Sequence, residues 1–285
     1  MAMPSTFAVE TVLGCNLRCR ECAVGANLVK RKYGHMKFEQ FRIIAEKIRP
    51  YCKYLYLHLW GEPMINPDIL AMLRLASEFT KTNISTNANT LDDNLAKDLI
   101  RSGVSDIIVS IDGVTQRTYS TYRKRGDINK ALLGLTRLVH HNIRYGNHTA
   151  IMPQFIVFDH NKHEMELFRD LCNTIGLNPV FKAPYIRRDS LLKDSGIEQY
   201  KRNISRNISI RRHNMKSCNI HNSFVILLDG STVPCCYDHN GDIVFGNIYT
   251  HNIDDICNTD QYINFINAVL NGNSPEFCIN NCLLF

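Results

Sequence analysis

Short apolar runs alternate with amphipathic stretches between residue 7 and about residue 185 of this chain. Short apolar runs are typical of buried strands, and stretches with helical periodicity are typical of helices that pack on one face. The strands predicted in this way are Phe7–Leu13, Lys53–Leu59, Thr82–Thr86, Ser105–Ile111, Gln154–Phe158 and Pro179–Lys182. The predicted helices cover residues 37–50, 66–80, 92–102, 115–144 and 162–175, and the fourth would break near Gly126.

Several predicted helices carry signals at their ends. Asn66 can cap the second helix, and Pro67 suits its first position because that position needs no N–H donor. Gly103 and Gly176 follow helical stretches, where a left-handed residue commonly ends a helix. Six strand–helix units in succession predict an α/β fold, a partial (β/α)6 TIM-like barrel whose chemistry lies at the carboxyl ends of its strands.

The second predicted strand alternates between two kinds of side chain. Because successive residues of a strand point to opposite faces, one set should pack under the helices and the other should line the barrel interior. The first set is Leu55, Leu57 and Leu59, and the second is Tyr54, Tyr56, His58 and Trp60. A polar and aromatic lining suits a cofactor and substrate cavity, although His58 also fits the description of a hydrogen-bonded interior residue.

The chain changes character after residue 185. Residues 186–217 are charged and poor in large apolar side chains, which predicts a connector or a mobile helix. Predicted hairpin strands Phe224–Leu228, Thr232–Pro234 and Ile243–Phe245 follow, with a turn at Asp229-Gly230, and then a helix over Ile253–Leu270. We therefore expect a barrel over residues 1–190, a connector over 191–217 and a small C-terminal α+β appendage over 218–285.

Composition and charge narrow the function classes. Apolar residues make up 45% of the 285 residues, which is ordinary for a globular protein. The N-terminus lacks the pattern of a secretory signal, and no run is long enough to span a membrane, so we expect a cytoplasmic protein with no membrane partner. The formal net charge is +6, but the basic residues are dispersed apart from Arg187-Arg188 and Lys201 to Arg212. A solvated surface is favoured over a nucleic-acid patch.

The eleven cysteines fall into two groups. Three lie within residues 15–22 and six within residues 218–282, with only Cys52 and Cys172 between the groups. Disulfides are rare in a reducing compartment, so two terminal clusters on a folded body indicate two metal sites.

The first group is a C-x₃-C-x₂-C loop directly after the first predicted strand, formed by Cys15, Cys19 and Cys22. A structural zinc site normally takes four protein ligands, and no fourth cysteine or histidine lies nearby. Three thiolates on an iron–sulfur cubane leave one iron open to another ligand. A structural zinc loop remains the alternative.

This loop resembles the signature of the radical S-adenosylmethionine (SAM) superfamily. The resemblance implies that Cys15, Cys19 and Cys22 hold a catalytic [4Fe–4S] cluster whose open iron chelates SAM. It also implies reductive cleavage of SAM to a 5′-deoxyadenosyl radical, which abstracts a substrate hydrogen. The residue before the third cysteine is often aromatic in the family and is Glu21 here. We expect this departure to alter packing or solvent access at the cluster without removing a ligand.

Further segments resemble family segments that bind SAM. Gly61 and Glu62 lie where the family has a G-G-E segment for the SAM amino group, and a carboxylate is a suitable partner for an ammonium. The resemblance also implies SAM contacts from Ser85 and Asn87 after the third strand, from Ser110 and Asp112 after the fourth, and from Arg123, with Arg125 as the fallback. Ordinary loop capping remains the alternative for each of them.

The C-terminal cysteines resemble the SPASM/twitch appendage of radical SAM enzymes. The resemblance rests on Cys218, on the segment from Gly230 to Cys235, and on the later G-N-I. It implies the shorter twitch form, with one auxiliary [4Fe–4S] cluster. The implied ligands are Cys218, Cys235, Cys278 and Cys282, with Cys236 as a substitute for Cys235, Cys257 as a helix core residue, and zinc as the alternative metal.

These resemblances imply two broad functions. We expect oxidation of a small alcohol, aminocyclitol or sugar, with the auxiliary cluster as electron acceptor and a flavodoxin or ferredoxin as reductant. A peptide epimerase or crosslinking enzyme is the alternative, and Cys236 or Cys172 would be its candidate hydrogen donors. The first strand begins near Phe7, which leaves no room for a leader-recognition domain and favours a small molecule.

Candidate substrate-handling residues are Tyr185, Arg187 and Arg188, with a solvated loop as their alternative. A hypothesis from another class is a non-catalytic iron–sulfur or zinc module.

Overall fold

The computed structural model of the chain describes residues 3–187, 190–200, 218–273 and 275–282. Its strands are β1 (Thr6–Val9), β2 (Val12–Leu13), β3 (Gly34–His35), β4 (Tyr54–Tyr56), β5 (Lys81–Thr86), β6 (Asp106–Ser110), β7 (Ala150–Ile156), β8 (Val180–Lys182), β9 (Ser223–Ile226), β10 (Ser231–Val233) and β11 (Gly246–Asn247). Its helices are α1 (Phe38–Ile48), α2 (Ile69–Ser77), α3 (Asp93–Arg101), α4 (Gln116–Tyr122), α5 (Ile128–Arg144), α6 (Met165–Thr174), α7 (Ile253–Cys257), α8 (Asp260–Leu270) and α9 (Glu276–Asn281). Short 3₁₀ turns lie at Pro63–Ile65, Lys162–Glu164, Glu198–Tyr200 and Asn219–Asn222.

The barrel is built from six neighbouring strands. β1, β4, β5, β6, β7 and β8 lie side by side in that order, and every pair of neighbours is parallel. This order confirms the predicted partial (β/α)6 barrel. The fourth predicted helix breaks as expected around Gly126, between α4 and α5. The second strand is shorter than its apolar run because its ladder with β5 ends at Tyr56.

The main core lies between the sheet and the helices that cover it. Phe7, Leu55, Ile84 and Ile107 are fully buried on the helix side of four successive strands. Since neighbouring strand residues alternate in direction, the residues between them face the barrel interior. Within the described ranges, none of the helices is long and apolar enough to cross a membrane.

The start of α2 differs from its prediction. Asn66 does not cap this helix, which begins at Ile69 after Asp68. The Asn66 side chain is 1% exposed and donates instead to the carbonyl oxygens of Thr11 and Met36. Tertiary contacts therefore take this amide away from the helix end. The predicted left-handed positions are confirmed, with φ of +80° at Gly103 and +76° at Gly176.

The C-terminal hairpin continues the barrel sheet. β9 pairs in parallel with β1, and β10 and β11 follow it antiparallel, so that the sheet has nine strands within the described residues. The predicted strand over 243–245 is wrong by a few residues, since β11 begins at Gly246. The single helix predicted over 253–270 is two helices, because Thr259 caps α8. Residues 201–217 of the predicted connector lie outside the described residues.

Candidate active site

The N-terminal cysteines lie in a tight loop that follows β2. Gly25 permits the tight fold, because a Cβ at this residue would stand 2.2 Å from the carbonyl oxygen of Cys19. Backbone N–H groups of Arg18 and Arg20 bind carbonyl oxygens at the end of α4, at 2.9 and 3.3 Å. The backbone that carries the three thiols is therefore held both by the close packing at Gly25 and by the hydrogen bonds to the end of α4.

Several N–H groups are directed at the sulfur atoms of this loop. The Leu17 amide lies 3.3 Å from Cys15 Sγ and Asn87 Nδ2 lies 3.8 Å from it, while Arg123 Nη1 lies 3.7 Å from Cys19 Sγ. Burial raises the pKa of Cys15 to about 12 and that of Cys19 to about 11, so both thiols stay protonated unless a cation binds. Iron supplies that positive charge, and N–H donors stabilise thiolate sulfur. The loop fits the iron–sulfur cluster that its spacing predicts.

A glycine brings the second strand end against the cysteine loop. Gly61 has a φ of +115°, and a Cβ there would lie 2.6 Å from the carbonyl oxygen of Gly14. Only glycine accommodates both conditions without displacing the loop. The next amide, that of Glu62, donates to the same Gly14 oxygen at 2.8 Å. The Glu62 side chain therefore enters the barrel beside the cysteines.

Glu62 is a buried carboxylate, 2% exposed, with three donors from the chain. Its Oε1 accepts from Thr86 Oγ1 at 2.7 Å and from the Met64 amide at 3.2 Å, and its Oε2 accepts from the Asn87 amide at 2.7 Å. Burial raises the pKa of Glu62, and the hydrogen bonds oppose that rise. A carboxylate offers about four acceptor positions, so one remains on Oε2 for an ammonium group.

Short polar residues of β5 and β6 face the same interior. Ser85 and Ser110 alternate with core residues of their strands, which places both hydroxyls on the inner side. Asn87 is 4% exposed, and its side chain donates to Asn16 Oδ1 at 2.8 Å in the cysteine loop. The structure thus brings together the predicted SAM contacts after the third strand and the first cysteine.

Arg123 and Asp112 form a buried ion pair behind the cysteine loop. Arg123 Nε donates to Asp112 Oδ2 at 2.5 Å, and the Ile156 amide donates to Asp112 Oδ1 at 2.6 Å. Asp112 is fully buried, so its carboxylate serves these partners and positions the arginine beside Cys19. The nearby negative charges hold the pKa of Arg123 well above its ordinary value, so the guanidinium stays charged. Arg125, the fallback, is exposed and has a φ of +67°.

The inner wall of β4 carries the predicted aromatic residues. The Tyr54 hydroxyl donates to Asp106 at 2.7 Å, and Tyr56 packs edge-on against His58 at 5.6 Å between ring centroids. Burial lowers the pKa of His58 to about 4, so its imidazole is neutral, and its Nδ1 is buried without a hydrogen-bond partner among the described residues. Leu59 was predicted to face the helices but packs on the inner side, because the regular strand has ended before it.

The C-terminal cysteines surround a common space. A cavity of about 60 Å³ is lined by Cys218, Cys235, Cys236, Cys278 and Cys282. Burial raises the pKa of Cys278 to about 12 and that of Cys235 further still, as in the first loop. Among the described residues, no three histidine, cysteine or acidic side chains are placed to hold a single metal ion. The thiols surround this common space.

The structure places both alternative cysteines at the cavity and distinguishes them by burial. Cys235 is half-buried in the cavity wall, whereas Cys236 is exposed. Cys257 is 6% exposed within α7 and belongs to the hydrophobic core, in agreement with its prediction. Cys172 is fully buried in α6 in the same core, on the helix side of the sheet. It therefore does not reach the barrel interior, and the hypothesis that it donates a hydrogen atom is wrong.

Two larger cavities connect the elements of this site. One of about 370 Å³ lies between the inner faces of β1 and β4 and the C-terminal cysteines, and its wall includes Tyr56, His58, Cys218 and Cys235. Another of about 250 Å³ lies beside Cys22. Its wall includes Glu21, Trp60, Tyr122, Tyr185, Arg187, Tyr237 and His239. Of the candidate substrate residues, Tyr185 and Arg187 line this second cavity and Arg188 lies outside the described residues.

Sequence reasoning missed a buried ion pair that joins three parts of the site. Glu10 is fully buried at the end of β1 and accepts from both Nη atoms of Arg31, at 2.6 and 2.7 Å. It also accepts from the Leu228 amide of the C-terminal hairpin at 2.9 Å. The sequence does contain a signal for this pair, which is the single acidic residue inside the apolar run Phe7–Leu13. A charge in a buried strand requires a partner of opposite charge.

Comparison with known proteins supports the fold. Fe-coproporphyrin III synthase of Methanosarcina barkeri (strain Fusaro / DSM 804) is 26% identical over 141 residues, which are 49% of this chain and 35% of that protein. The chain thus matches about a third of that relative's length. The crystal structure of BtrN in complex with AdoMet and 2-DOIA superposes with a TM-score of 0.58 and 19% identity, over 95% of this chain and 89% of that one. The crystal structure of Streptococcus suis SuiB bound to precursor peptide SuiA superposes with a TM-score of 0.70 and 12% identity, over 93% of this chain and 67% of that one.

Family models account for both halves of the site. The model of the radical SAM superfamily matches residues 9–171, more than half of the chain, and includes the cysteine loop and the strand ends described above. A SPASM model, described as an iron–sulfur cluster-binding domain, matches residues 218–283 and includes the C-terminal cysteines. This chain belongs to the radical SAM superfamily, which uses SAM and a [4Fe–4S] cluster, and it carries a SPASM domain for auxiliary iron–sulfur binding.

Proposed function

We propose that this enzyme oxidises a small polar alcohol, such as an aminocyclitol or a sugar. The observation that carries the proposal is the cavity of about 370 Å³ between the barrel interior and the C-terminal thiols. Its volume lies in the range of small-molecule sites. A substrate there touches the barrel wall on one side and Cys218 and Cys235 on the other. Complexes of BtrN with AdoMet and 2-DOIA, in a similar fold, are consistent with this choice.

SAM would be held at the strand ends above this cavity. Glu62 would accept the ammonium group at the free position of Oε2, and Arg123 would bind the carboxylate because it stays charged beside Cys19. Ser85 and Ser110 would donate to the remaining polar atoms from the inner wall. In this arrangement Cys15, Cys19 and Cys22 hold the cluster to which SAM binds.

When bound, SAM and its cluster would supply the radical that abstracts hydrogen, and Cys218, Cys235, Cys278 and Cys282 would hold an auxiliary [4Fe–4S] cluster as electron acceptor. The chain's own residues orient the substrate. His58 is neutral, and its Nδ1 has no partner among the described residues, so it can accept a hydrogen bond from a substrate hydroxyl. The aromatic ring of Tyr56, which lines the same cavity, offers a flat apolar face to a ring substrate. An unpartnered buried nitrogen is costly, which favours a polar substrate over an apolar one.

A second candidate function is modification of a peptide. The observation that favours it is the cavity of about 250 Å³ beside Cys22, which extends the site towards Tyr185 and Tyr237 and so could admit a side chain. The similarity in fold to SuiB bound to precursor peptide SuiA points the same way. For an epimerase, Cys236 is the remaining candidate hydrogen donor because it is exposed.

The proposed partners follow from the chemistry. A one-electron reductant such as a flavodoxin or ferredoxin would supply the cluster at Cys15, Cys19 and Cys22. We propose neither a nucleic-acid nor a membrane partner, and we propose a cytoplasmic location because the cysteine-rich sites need a reducing compartment. The domain boundaries at residues 190 and 218 remain part of this proposal.

Anaerobic reconstitution with iron and sulfide, followed by SAM and dithionite, tests the proposal. Formation of 5′-deoxyadenosine is expected, and a panel of cyclitols and monosaccharides should contain a compound that raises its rate and yields a carbonyl product in equal amount. With carbinol deuterium in that compound, the label should appear in 5′-deoxyadenosine.

Cys22→Ala is the control for background cleavage, since it removes a cluster ligand. No stimulation by any alcohol, together with label transfer from a peptide, would instead establish the second function.

A further inference from the structure

Glu21 lies inside the cysteine loop, between Cys19 and Cys22, and is only 5% exposed. A carboxylate at this depth needs hydrogen-bond donors. One of its oxygens accepts from the Arg187 backbone N–H at 2.8 Å, and the other accepts from the Ser190 hydroxyl. Both donors belong to the segment that follows β8, far away in sequence. The loop that holds the catalytic cysteines is thus hydrogen-bonded to the segment that leaves the last barrel strand.

The same segment also covers the cysteine loop with apolar side chains. Ile186 and Leu192 pack against the group formed by Leu17, Cys19, Tyr122 and Phe158. Ser190 Oγ accepts in turn from the Leu192 amide at 2.9 Å, so the Glu21 contact extends to residue 192. Beyond it, a bridge between Phe158 and Asp194 returns the chain to the barrel. The described parts of this segment are fixed at β8 and at residue 194, and Glu21 fixes them between those points.

The segment forms part of the wall of the cavity beside Cys22. Tyr185 and Arg187 line that cavity together with Trp60 and His239, whose rings pack 5.5 Å apart. The backbone N–H of Arg187 is one of the two groups that Glu21 binds, so its contact sets the place of this wall directly. A phenylalanine at residue 21 has no acceptor for either donor, so both of these hydrogen bonds would be lost.

We propose that Glu21 is a positioning residue that couples the cluster loop to the substrate-facing wall formed by Tyr185 and Arg187. Its two acceptor oxygens hold the segment after β8 at a fixed distance from the cysteines. The width of the cavity of about 250 Å³ beside Cys22 depends on this contact. Its use by a substrate rests on the proposed function, in which this cavity extends the site for a peptide side chain, whereas the contact itself is independent of catalysis.

Amide hydrogen exchange in the reconstituted holoenzyme tests the contact. Glu21→Leu removes both acceptors at similar volume, and exchange at the Arg187 and Leu192 amides should accelerate about tenfold. Glu21→Gln keeps an acceptor for the Arg187 amide and a polar group for Ser190, so it should restore protection to within about threefold of wild type. Ser190→Ala removes one contact without touching the cysteine loop, and should accelerate exchange at Leu192.

The chain's single tryptophan, Trp60, provides a second readout because it lines the same cavity. Acrylamide quenching of its fluorescence should increase in Glu21→Leu and stay at the wild-type level in Glu21→Gln. Retention of iron and of the SAM-induced change in the cluster EPR signal would show that Glu21→Leu leaves the cluster intact. If Glu21→Leu loses iron, the exchange rate of the Leu192 amide in Ser190→Ala becomes the test of the contact.

Wild-type exchange at both amides in Glu21→Leu and Ser190→Ala would overturn the proposal. A wild-type enzyme that forms no 5′-deoxyadenosine would refute the proposed function while leaving this exchange result intact.

Discussion

Replacing Glu62 by glutamine removes the buried charge that we propose binds the SAM ammonium, with little change in volume. In the structure, Oε2 binds the Asn87 amide and keeps one free acceptor position, while Thr86 and Met64 donate to Oε1. Glutamine can keep the Asn87 contact, and the Thr86 hydroxyl can reorient towards the new amide group. The main loss is a hydrogen bond between two charged groups, which contributes about 1.5–3 kcal/mol. SAM should therefore bind about 10- to 150-fold more weakly.

Anaerobic calorimetric titration of the oxidised holoenzyme with SAM measures this loss. Glu78→Gln is a matched control, because the Glu78 side chain is exposed and 3.9 Å from its arginine partner. A dissociation constant for Glu62→Gln within threefold of wild type, at unchanged iron content, would refute the role of Glu62.

The pH dependence supplies a further check. Burial raises the pKa of Glu62, so its ionised form lowers stability at neutral pH and protonation below that pKa removes this cost. SAM affinity changes in the opposite direction, because protonation removes the partner of the ammonium. Affinity should fall as the pH is lowered in wild type, at a higher pH than for an exposed glutamate, and not in Glu62→Gln.

Four further substitutions test the geometry. Gly61→Ala places a Cβ 2.6 Å from a carbonyl oxygen of the cysteine loop at a φ of +115°, so it should abolish SAM binding, which the same titration measures. Cys235→Ser should lose the auxiliary cluster and half of the iron, whereas Cys236→Ser should keep the cluster and the full iron content. Equal iron content in the two variants would contradict the assignment of Cys235 as a ligand. Asp112→Asn leaves the buried Arg123 without its charged partner, which should lower the free energy of unfolding by about 3–5 kcal/mol. The cluster absorbance should therefore be lost at a lower temperature than in wild type. Unchanged thermal loss would argue against the ion pair.

Local patterns were sufficient to predict most of the barrel. The apolar runs predict parallel strands because each of the first five is followed by an amphipathic stretch, and the cysteine spacing predicts which strand end carries the cluster. Glu62 and Asn87 follow from the same logic, since side chains at the carboxyl ends of neighbouring parallel strands come together.

The remaining features depend on contacts between residues far apart in sequence. Nothing near Asn66 shows that the carbonyl oxygens of Thr11 and Met36 take its amide away from the helix end. The pairing of β9 with β1 joins residues more than 200 positions apart, so neither strand's own pattern indicates it. Glu21 was recognised only as a departure from a family pattern, because its partner segment follows a different strand.

The ratio of carbonyl product to 5′-deoxyadenosine in Cys282→Ala tests the central claim most directly. This variant removes a proposed ligand of the auxiliary cluster and leaves Cys15, Cys19 and Cys22 untouched. If the auxiliary cluster accepts the substrate electron, 5′-deoxyadenosine should still form while the carbonyl product per 5′-deoxyadenosine falls towards zero. A ratio equal to that of wild type would contradict the claim that the C-terminal thiols provide the electron outlet.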